Sequence, residues 1–163
     1  MSDILIGFTV LVENIAREQQ GLAEKLRSLM RSAGEEVAYG NLVEFLLFHF
    51  SKTGMKCYES VKAIDYRRIT VDMPPHAVLD QVKSAKQQCR DDDNVAHGFL
   101  LNLALEYLEE RGYLTSREKL SDILTSLKSI DPAMLVAVEA GLSELLARAK
   151  RVVETLVERE EQQ

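Results

Sequence analysis

The stretch that decides the fold is residues 2–33, SDILIGFTVLVENIAREQQGLAEKLRSLMRSA, in which apolar residues recur alternately every three and four positions. A spacing that averages about 3.5 residues keeps one stripe of a helix against a partner helix. The stretch therefore predicts a single N-terminal helix over about residues 3–33, roughly 45 Å long at about 1.5 Å per residue. Its stripe consists of Leu5, Phe8, Val12, Ile15, Leu22, Leu26 and Leu29, with Gln19 as the one polar member.

A second stripe with the same spacing lies near the other end of the chain. Asp131 followed by Pro132 is a helix-start signal, because the aspartate can cap the first turn and the missing N–H of proline is harmless there. We expect a C-terminal helix over about residues 132–160 that lies along the equally long N-terminal helix. The residues of this stripe are Leu135, Val138, Leu142, Leu145, Ala149, Val152 and Leu156.

Between these two ends the pattern predicts shorter and more apolar helices. They cover about residues 35–53, 55–66, 76–90, 95–111 and 116–129. Gly34, Gly54 and Gly112 are placed to end helices, because glycine adopts a left-handed conformation without steric cost. Thr115 and Glu118 have the spacing of a capping box, which would start the helix that follows.

Two segments fit more than one structure. Residues 4–12 suit a strand, although the helical spacing continues through them, and residues 67–73 fit an extended link or a short edge strand. With only three prolines and eight glycines in 163 residues, the chain has little material for the many turns of a β fold. The predicted fold class is all-α. We expect one domain, residues 1–163, in which two long amphipathic terminal helices enclose shorter apolar central helices.

Charge and cysteine usage exclude several classes of protein. The net charge of −6 argues against a dedicated nucleic-acid binder, because phosphate contacts need a clustered positive surface. Cys57 and Cys89 form no metal-binding or disulfide pattern, so they are predicted to be buried thiols. The apolar run 4–12 is too short to span a bilayer and lacks the basic flank of a secretory signal. These features predict a cytoplasmic protein.

No sequence motif points to catalysis, so no catalytic, cofactor-binding or metal-binding residue is predicted and an enzyme is unsupported. The acidic run 91–93 lacks the later acids of a DDxxD motif or an EF-hand loop and is expected to start a helix. His49 lies in the most apolar helix and is expected to be a hydrogen-bonded core or interface residue. His97 opens a helix, as a phosphoacceptor histidine can, but the lysine and small residues that usually follow are absent.

The width of the two stripes favours a function in binding, because a monomer of this size has little surface to cover them. We expect a small acidic cytoplasmic interaction protein, such as an adaptor, chaperone or regulatory subunit, that acts through helix–helix contacts. Its partner would be another protein or a second copy, with a homodimer favoured. The predicted interface residues are Leu5, Phe8, Val12, Ile15, Gln19, Leu22, Leu26, Leu142, Leu145, Val152 and Leu156.

The alternative function is a helix-turn-helix type regulator that binds nucleic acid. Residues 106–128 predict a helix, a turn containing Gly112 and a second helix, in the order of that motif. Residues 52–90 hold eight Lys or Arg against four acidic residues, so this section is locally basic. The residues that would contact nucleic acid are Arg67, Arg68, Arg117 and Lys119. No stretch of the sequence resembles a known family.

Overall fold

The computed structural model describes residues 2–158, and over that range it contains eight α-helices, one 3₁₀ turn and no β-strand. The all-α prediction is therefore confirmed. No helix in the described range is long and apolar enough to cross a membrane. The helices are α1 (Asp3–Glu18), α2 (Gln20–Tyr39), α3 (Leu42–Thr53), α4 (Met55–Val61), α5 (Pro75–Lys86), α6 (Asp92–Glu110), α7 (Leu120–Lys128) and α8 (Pro132–Leu156), and the 3₁₀ turn is Tyr66–Arg68.

Helix α6 is the centre of the bundle. Every residue from Asn94 to Leu108 is buried, and α2, α3, α4 and α8 all pack against this helix. A helix enclosed on all sides must be apolar nearly all round, which is what its sequence shows. Asp91 caps its first turn by accepting a hydrogen bond from the Asn94 N–H at 3.0 Å. The acidic run 91–93 therefore starts a helix, as predicted.

Helices α2 and α8 pack along each other in opposite directions. The Ser143 hydroxyl donates to the Gly34 carbonyl at 2.9 Å, and farther along the pair Arg27 donates to the carbonyl of Val157. The C-terminal end of α2 and the first turns of α8 therefore lie at the same end of the bundle. The last part of the predicted C-terminal helix, residues 159–160, lies outside the described residues.

The prediction of one N-terminal helix over residues 3–33 is wrong. The backbone leaves helical geometry at Gln19, with φ −139° and ψ 63°, and α2 begins one residue later. The Gln19 N–H still donates to the Ile15 carbonyl at 2.8 Å, and the Gln19 side chain accepts a hydrogen bond from Lys86 Nζ at 2.7 Å. A break of one residue leaves the three-and-four spacing of apolar residues intact, so the pattern does not reveal it.

Of the three glycines predicted to end helices, two do so. Gly54 and Gly112 follow α3 and α6 with φ of 78° and 79°, a conformation that favours glycine. Gly34 instead lies inside α2, where a Cβ would be 3.3 Å from a carbonyl oxygen of α8. Its role is the close approach of the two helices. Because α2 continues through residues 35–39, the next helix begins at Leu42 and not at residue 35.

Two predictions about the connecting segments are also wrong. Residues 67–73 contain no strand, and the chain forms the 3₁₀ turn Tyr66–Arg68 and further turns there. The predicted capping box is absent, because the Thr115 hydroxyl pairs with the Ser126 hydroxyl at 3.2 Å. Helix α7 begins only at Leu120. In both places the backbone follows tertiary contacts that a local motif does not encode.

The two cysteines form a disulfide bond, so the prediction of two buried thiols is wrong. Cys57 lies in α4, and Cys89 follows the end of α5. The bond joins residues 32 positions apart in sequence and holds α5, a helix with few buried residues, against α4. It also removes one premise of the cytoplasmic prediction, which assumed free thiols.

Loss of the disulfide is expected to lower the free energy of unfolding by roughly 2–4 kcal/mol, because a cross-link across a loop of this length restricts the unfolded chain. Urea unfolding of the wild type with and without a thiol reductant measures the effect. The matched control is the double variant Cys57→Ala with Cys89→Ala, which should resemble the reduced wild type and ignore the reductant. Equal stability of oxidised and reduced protein would contradict the prediction.

Candidate functional site

The stripes predicted to form an interface lie in the core of a single chain. Helix α1 packs against the 3₁₀ turn and α8, and α2 packs against α6 and α8. This arrangement buries most of both stripes within one chain, which counts against the predicted interface. Eight of its eleven residues are buried, namely Leu5, Phe8, Val12, Ile15, Leu22, Leu26, Leu142 and Leu145, and three are half-buried, namely Gln19, Val152 and Leu156.

Two of the arginines predicted to contact nucleic acid bind groups within the chain. Arg67 Nη2 donates to Glu109 Oε1 at 2.8 Å, and Arg67 Nε donates to Asp65 Oδ1 at 3.0 Å. Arg117 Nη1 donates to Asn102 Oδ1 at 2.8 Å. Both guanidinium groups are therefore held by internal partners, and the two carboxylates beside Arg67 offset its positive charge, so a phosphate would find less positive charge here than the sequence suggests.

The helix-turn-helix alternative also loses its structural basis. Helices α6 and α7 are joined by nine residues, 111–119, whereas the turn of that motif has about three or four. Arg68 and Lys119 are exposed, and Arg68 Nε lies 3.5 Å from the Asp65 carboxylate. The four predicted residues do not form one basic surface on a recognition helix.

A group of buried and half-buried polar side chains, here called the Glu106 cluster, joins the 3₁₀ turn to the C-terminal half of α6. Glu106 is fully buried, and its two oxygens accept the backbone N–H of Tyr66 at 2.9 and 3.2 Å. A Cβ on Gly7 would be 1.7 Å from the Tyr66 carbonyl oxygen, so this glycine lets the turn approach α1. The cluster consists of Asp65, Arg67, Asn102, Glu106, Glu109 and Arg117.

The Glu106 carboxyl group keeps its proton to a higher pH than an ordinary glutamate does. Burial, together with a hydrogen bond to Asp65, raises the pKa of Glu106 to about 8. Burial alone would raise the pKa of Asp65 as well, but hydrogen bonds with Glu106 and Arg67 lower it to about 2. The proton therefore resides on Glu106, which donates to an ionised Asp65. With Glu106 neutral, the two arginines of the cluster balance two carboxylates.

The second polar group is the histidine pair, His49 of α3 and His97 of α6. Their Nδ1 atoms are 2.9 Å apart, and His49 Nε2 is 3.0 Å from Glu36 Oε2 of α2. His97 Nε2 lies 3.8 Å from Asp93 Oδ2. The two rings are 1 % and 4 % exposed, so the pair links three helices inside the protein.

The hydrogen bonds determine which nitrogens carry protons. His49 Nε2–H donates to Glu36, so in the neutral ring His49 Nδ1 is an acceptor. His97 Nδ1–H then donates to His49, which leaves His97 Nε2 without a proton. Burial lowers the pKa of His49, partly offset by Glu36. Burial and the neighbouring His49 lower the pKa of His97 to about 4. Both imidazoles are therefore neutral at pH 7.

Neither polar group has the geometry of a reactive site. Among residues 2–158, no three His, Cys, Asp or Glu side chains are arranged to hold a metal ion. The nitrogen of His97 nearest to His49 is occupied by that partner, and the ring is almost fully covered, which counts against the phosphoacceptor hypothesis. Shifted pKa values also occur in structural polar networks, and the contacts described above are of that kind.

The surface that the sequence pattern missed lies on the first turns of α8. Apart from Val138 and the half-buried Leu135 and Glu139, the residues from 131 to 140 are exposed. The sequence signal is the run 132–138, PAMLVAV, which is apolar on every side of the helix and contains no charge. We call the exposed apolar residues of this run, together with the nearby Ala140, the α8 surface; the residues from the run are Pro132, Ala133, Met134, Val136 and Ala137.

Two neighbouring features extend the α8 surface. Tyr39, which is 89 % exposed, ends α2 at the same end of the bundle. Ala137 also lines a groove of about 530 Å³ between the start of α1, the end of α6 and α8. The Arg111 guanidinium lies 5.1 Å from the centre of the Tyr107 ring in this groove. The groove therefore adjoins the α8 surface.

Comparisons of the chain with protein-family models, with curated proteins and with solved structures find no match. The functional proposal therefore depends on the chain's own residues.

Proposed function

We propose that this chain is a small acidic helical interaction protein, such as an adaptor, chaperone or regulatory subunit, that acts by binding a protein and not by catalysis. The observation that carries the proposal is the α8 surface, where large apolar side chains such as Val136, 67 % exposed, and Met134, 49 % exposed, face solvent. Exposed apolar surface larger than scattered single side chains is typical of protein-binding sites.

Burial of the polar groups supports the same proposal. An enzyme needs its perturbed acids and bases in a cleft that substrate can enter. Glu106 is 0 % exposed and His49 is 1 % exposed, and their hydrogen bonds are made to other residues of the chain. These groups therefore support the packing of α6. The α8 surface is then the feature that we assign to function.

The partner that we propose for the α8 surface is a second copy of the chain. A protein with a net charge of −6 repels itself through most of its surface. The segment 132–138 contains no charged residue. Two copies can therefore bring this segment together without placing like charges against each other. Apolar surfaces of this kind are common in homodimer interfaces.

Val136→Asp combined with Met134→Asp is expected to convert a dimer into a folded monomer, because two unpaired charges would have to be desolvated in each half of the contact. Both side chains are exposed in one chain, so the substitutions should have little effect on folding. Sedimentation equilibrium at micromolar concentration gives the mass, and far-ultraviolet circular dichroism on the same sample checks the helix content.

The matched control is Val71→Asp, which introduces the same charge at a side chain that is 79 % exposed and lies outside the α8 surface. This variant should remain a dimer. A wild type that stays monomeric at high concentration would refute self-association, and an equal effect of the α8 and Val71 variants would refute the assignment of the surface.

A further inference from the structure

We propose that the pair formed by His49 and His97 is an acid-sensitive switch that holds α3 on α6 at neutral pH and releases α3 as the pH falls. The proposal goes beyond protein binding, since it concerns how the surface of the protein changes with conditions.

The geometry of the pair carries the inference. Two Nδ1 atoms 2.9 Å apart have room for one hydrogen between them. If both imidazoles take up a proton, each Nδ1 carries a hydrogen, so the hydrogen bond is lost and two positive charges face each other. Separation of α3 from α6 relieves this repulsion and restores hydration to both rings.

The charged groups that face the pair come from each helix packed against it. Glu36 of α2 and Asp93 of α6 bear negative charges that favour protonation of the imidazoles, and Lys52 of α3 bears a positive charge that opposes it. Burial opposes protonation most strongly, and it lowers the pKa of both rings in the packed state. Release of α3 removes that effect, so release takes up two protons below about pH 6.5, the ordinary pKa of histidine.

The position of α3 makes a local release possible. The helix lies between Gly40 and Gly54, so both ends are joined to glycine-containing connections. One surface of α3 is already open, because Phe48, whose ring centre lies 5.0 Å from that of His49, is 48 % exposed. Release would expose the buried side chains Phe45 and Phe50. Movement of this one helix would therefore add a large apolar area to the surface of the protein.

Hydrogen–deuterium exchange of the α3 amides against pH tests the proposal, after correction for the intrinsic exchange rate. In the wild type, the equilibrium constant for opening of α3 is expected to rise by up to about 100-fold per pH unit below pH 6.5, because two protons are taken up. His97→Asn places a non-titrating N–H donor near the position of Nδ1, so the slope should fall to about 10-fold per pH unit.

His76→Asn is the matched control, since it makes the same change at an exposed histidine on α5 and should leave the wild-type slope unchanged. An identical slope in the wild type and in His97→Asn would overturn the proposal. So would a simultaneous loss of protection in α3 and α6, since that would be global unfolding.

A measurement on the wild type alone covers the case in which His97→Asn does not fold. The imidazole proton resonances of His49 and His97 should change together, at the pH where α3 loses protection, with His76 as an internal reference. Protonation of both rings while α3 keeps its protection would overturn the proposal.

Discussion

Replacement of Leu22 by aspartate is expected to unfold the chain and not to produce a folded monomer. Leu22 is 0 % exposed within one chain, on a helix that packs against both α6 and α8. Loss of a buried leucine costs about 2–5 kcal/mol, and a buried unpaired carboxylate adds several more. The sum approaches or exceeds the total stability of about 5–15 kcal/mol that is usual for a domain.

Far-ultraviolet circular dichroism and sedimentation on one sample measure this result. Val136→Asp serves as the control, because it introduces the same charge on an exposed position of α8 and should leave the helix content unchanged. A monomeric Leu22→Asp protein with wild-type helix content would show that the stripe of α2 lies between two chains, as the sequence pattern predicted.

Replacement of Glu106 by alanine is expected to lower the free energy of unfolding by about 3–5 kcal/mol at pH 7. The backbone N–H of Tyr66 would lose its acceptor, and a buried donor without a partner costs about 1–3 kcal/mol. The cavity left by the side chain adds a similar amount. Glu106→Gln is the matched variant, because it retains the volume and one acceptor oxygen, and it should be destabilised far less.

The pH dependence of stability tests the protonated state of Glu106. Its pKa is about 8 in the folded chain and about 4.5 when unfolded, so the folded state binds more protons between these values. The stabilisation is therefore fully present below pH 4.5 and is lost as the pH rises towards 8. Between pH 6.5 and 8 the wild type should lose about 1.6 kcal/mol, because the slope of about 1.36 kcal/mol per pH unit falls to half as the pH reaches the pKa.

This pH range separates the effect of Glu106 from that of the histidine pair. The lowered pKa values of the histidines affect stability only below about pH 6.5, where the free energy of unfolding falls as the pH falls. Urea unfolding at a series of pH values measures both effects. Glu106→Gln should be nearly flat between pH 6.5 and 8, since no buried group of the cluster then titrates in that range. A flat wild-type curve would contradict a protonated Glu106.

The polar contacts inside the chain explain why the sequence suggested more basic surface than the structure has. Arg67 and Arg117 stood out as basic residues, yet their guanidinium groups lie against Glu109, Asp65 and Asn102. A basic residue found in a sequence indicates positive charge at the surface only if no carboxylate is folded against it. In this chain Glu109 and Asn102 come to the two arginines from another helix, α6, whereas Asp65 lies only two residues from Arg67, so the local charge count overestimated the basic surface.

The amino-acid sequence by itself determined the all-α class and the helix ends at Gly54 and Gly112. These features depend on residues within one or two turns of each other. Periodic apolar side chains select a helix and its buried face, and a glycine with positive φ ends a helix wherever the rest of the chain lies.

Only the tertiary structure decided the break at Gln19, the pairing of Cys57 with Cys89 and the contact of His49 with His97. The histidines are 48 residues apart in sequence, and the cysteines are 32 apart. Such contacts depend on how whole helices pack, which no local pattern contains. The α8 surface belongs to the same class, because an apolar helix face becomes a surface only when no other helix of the bundle covers it.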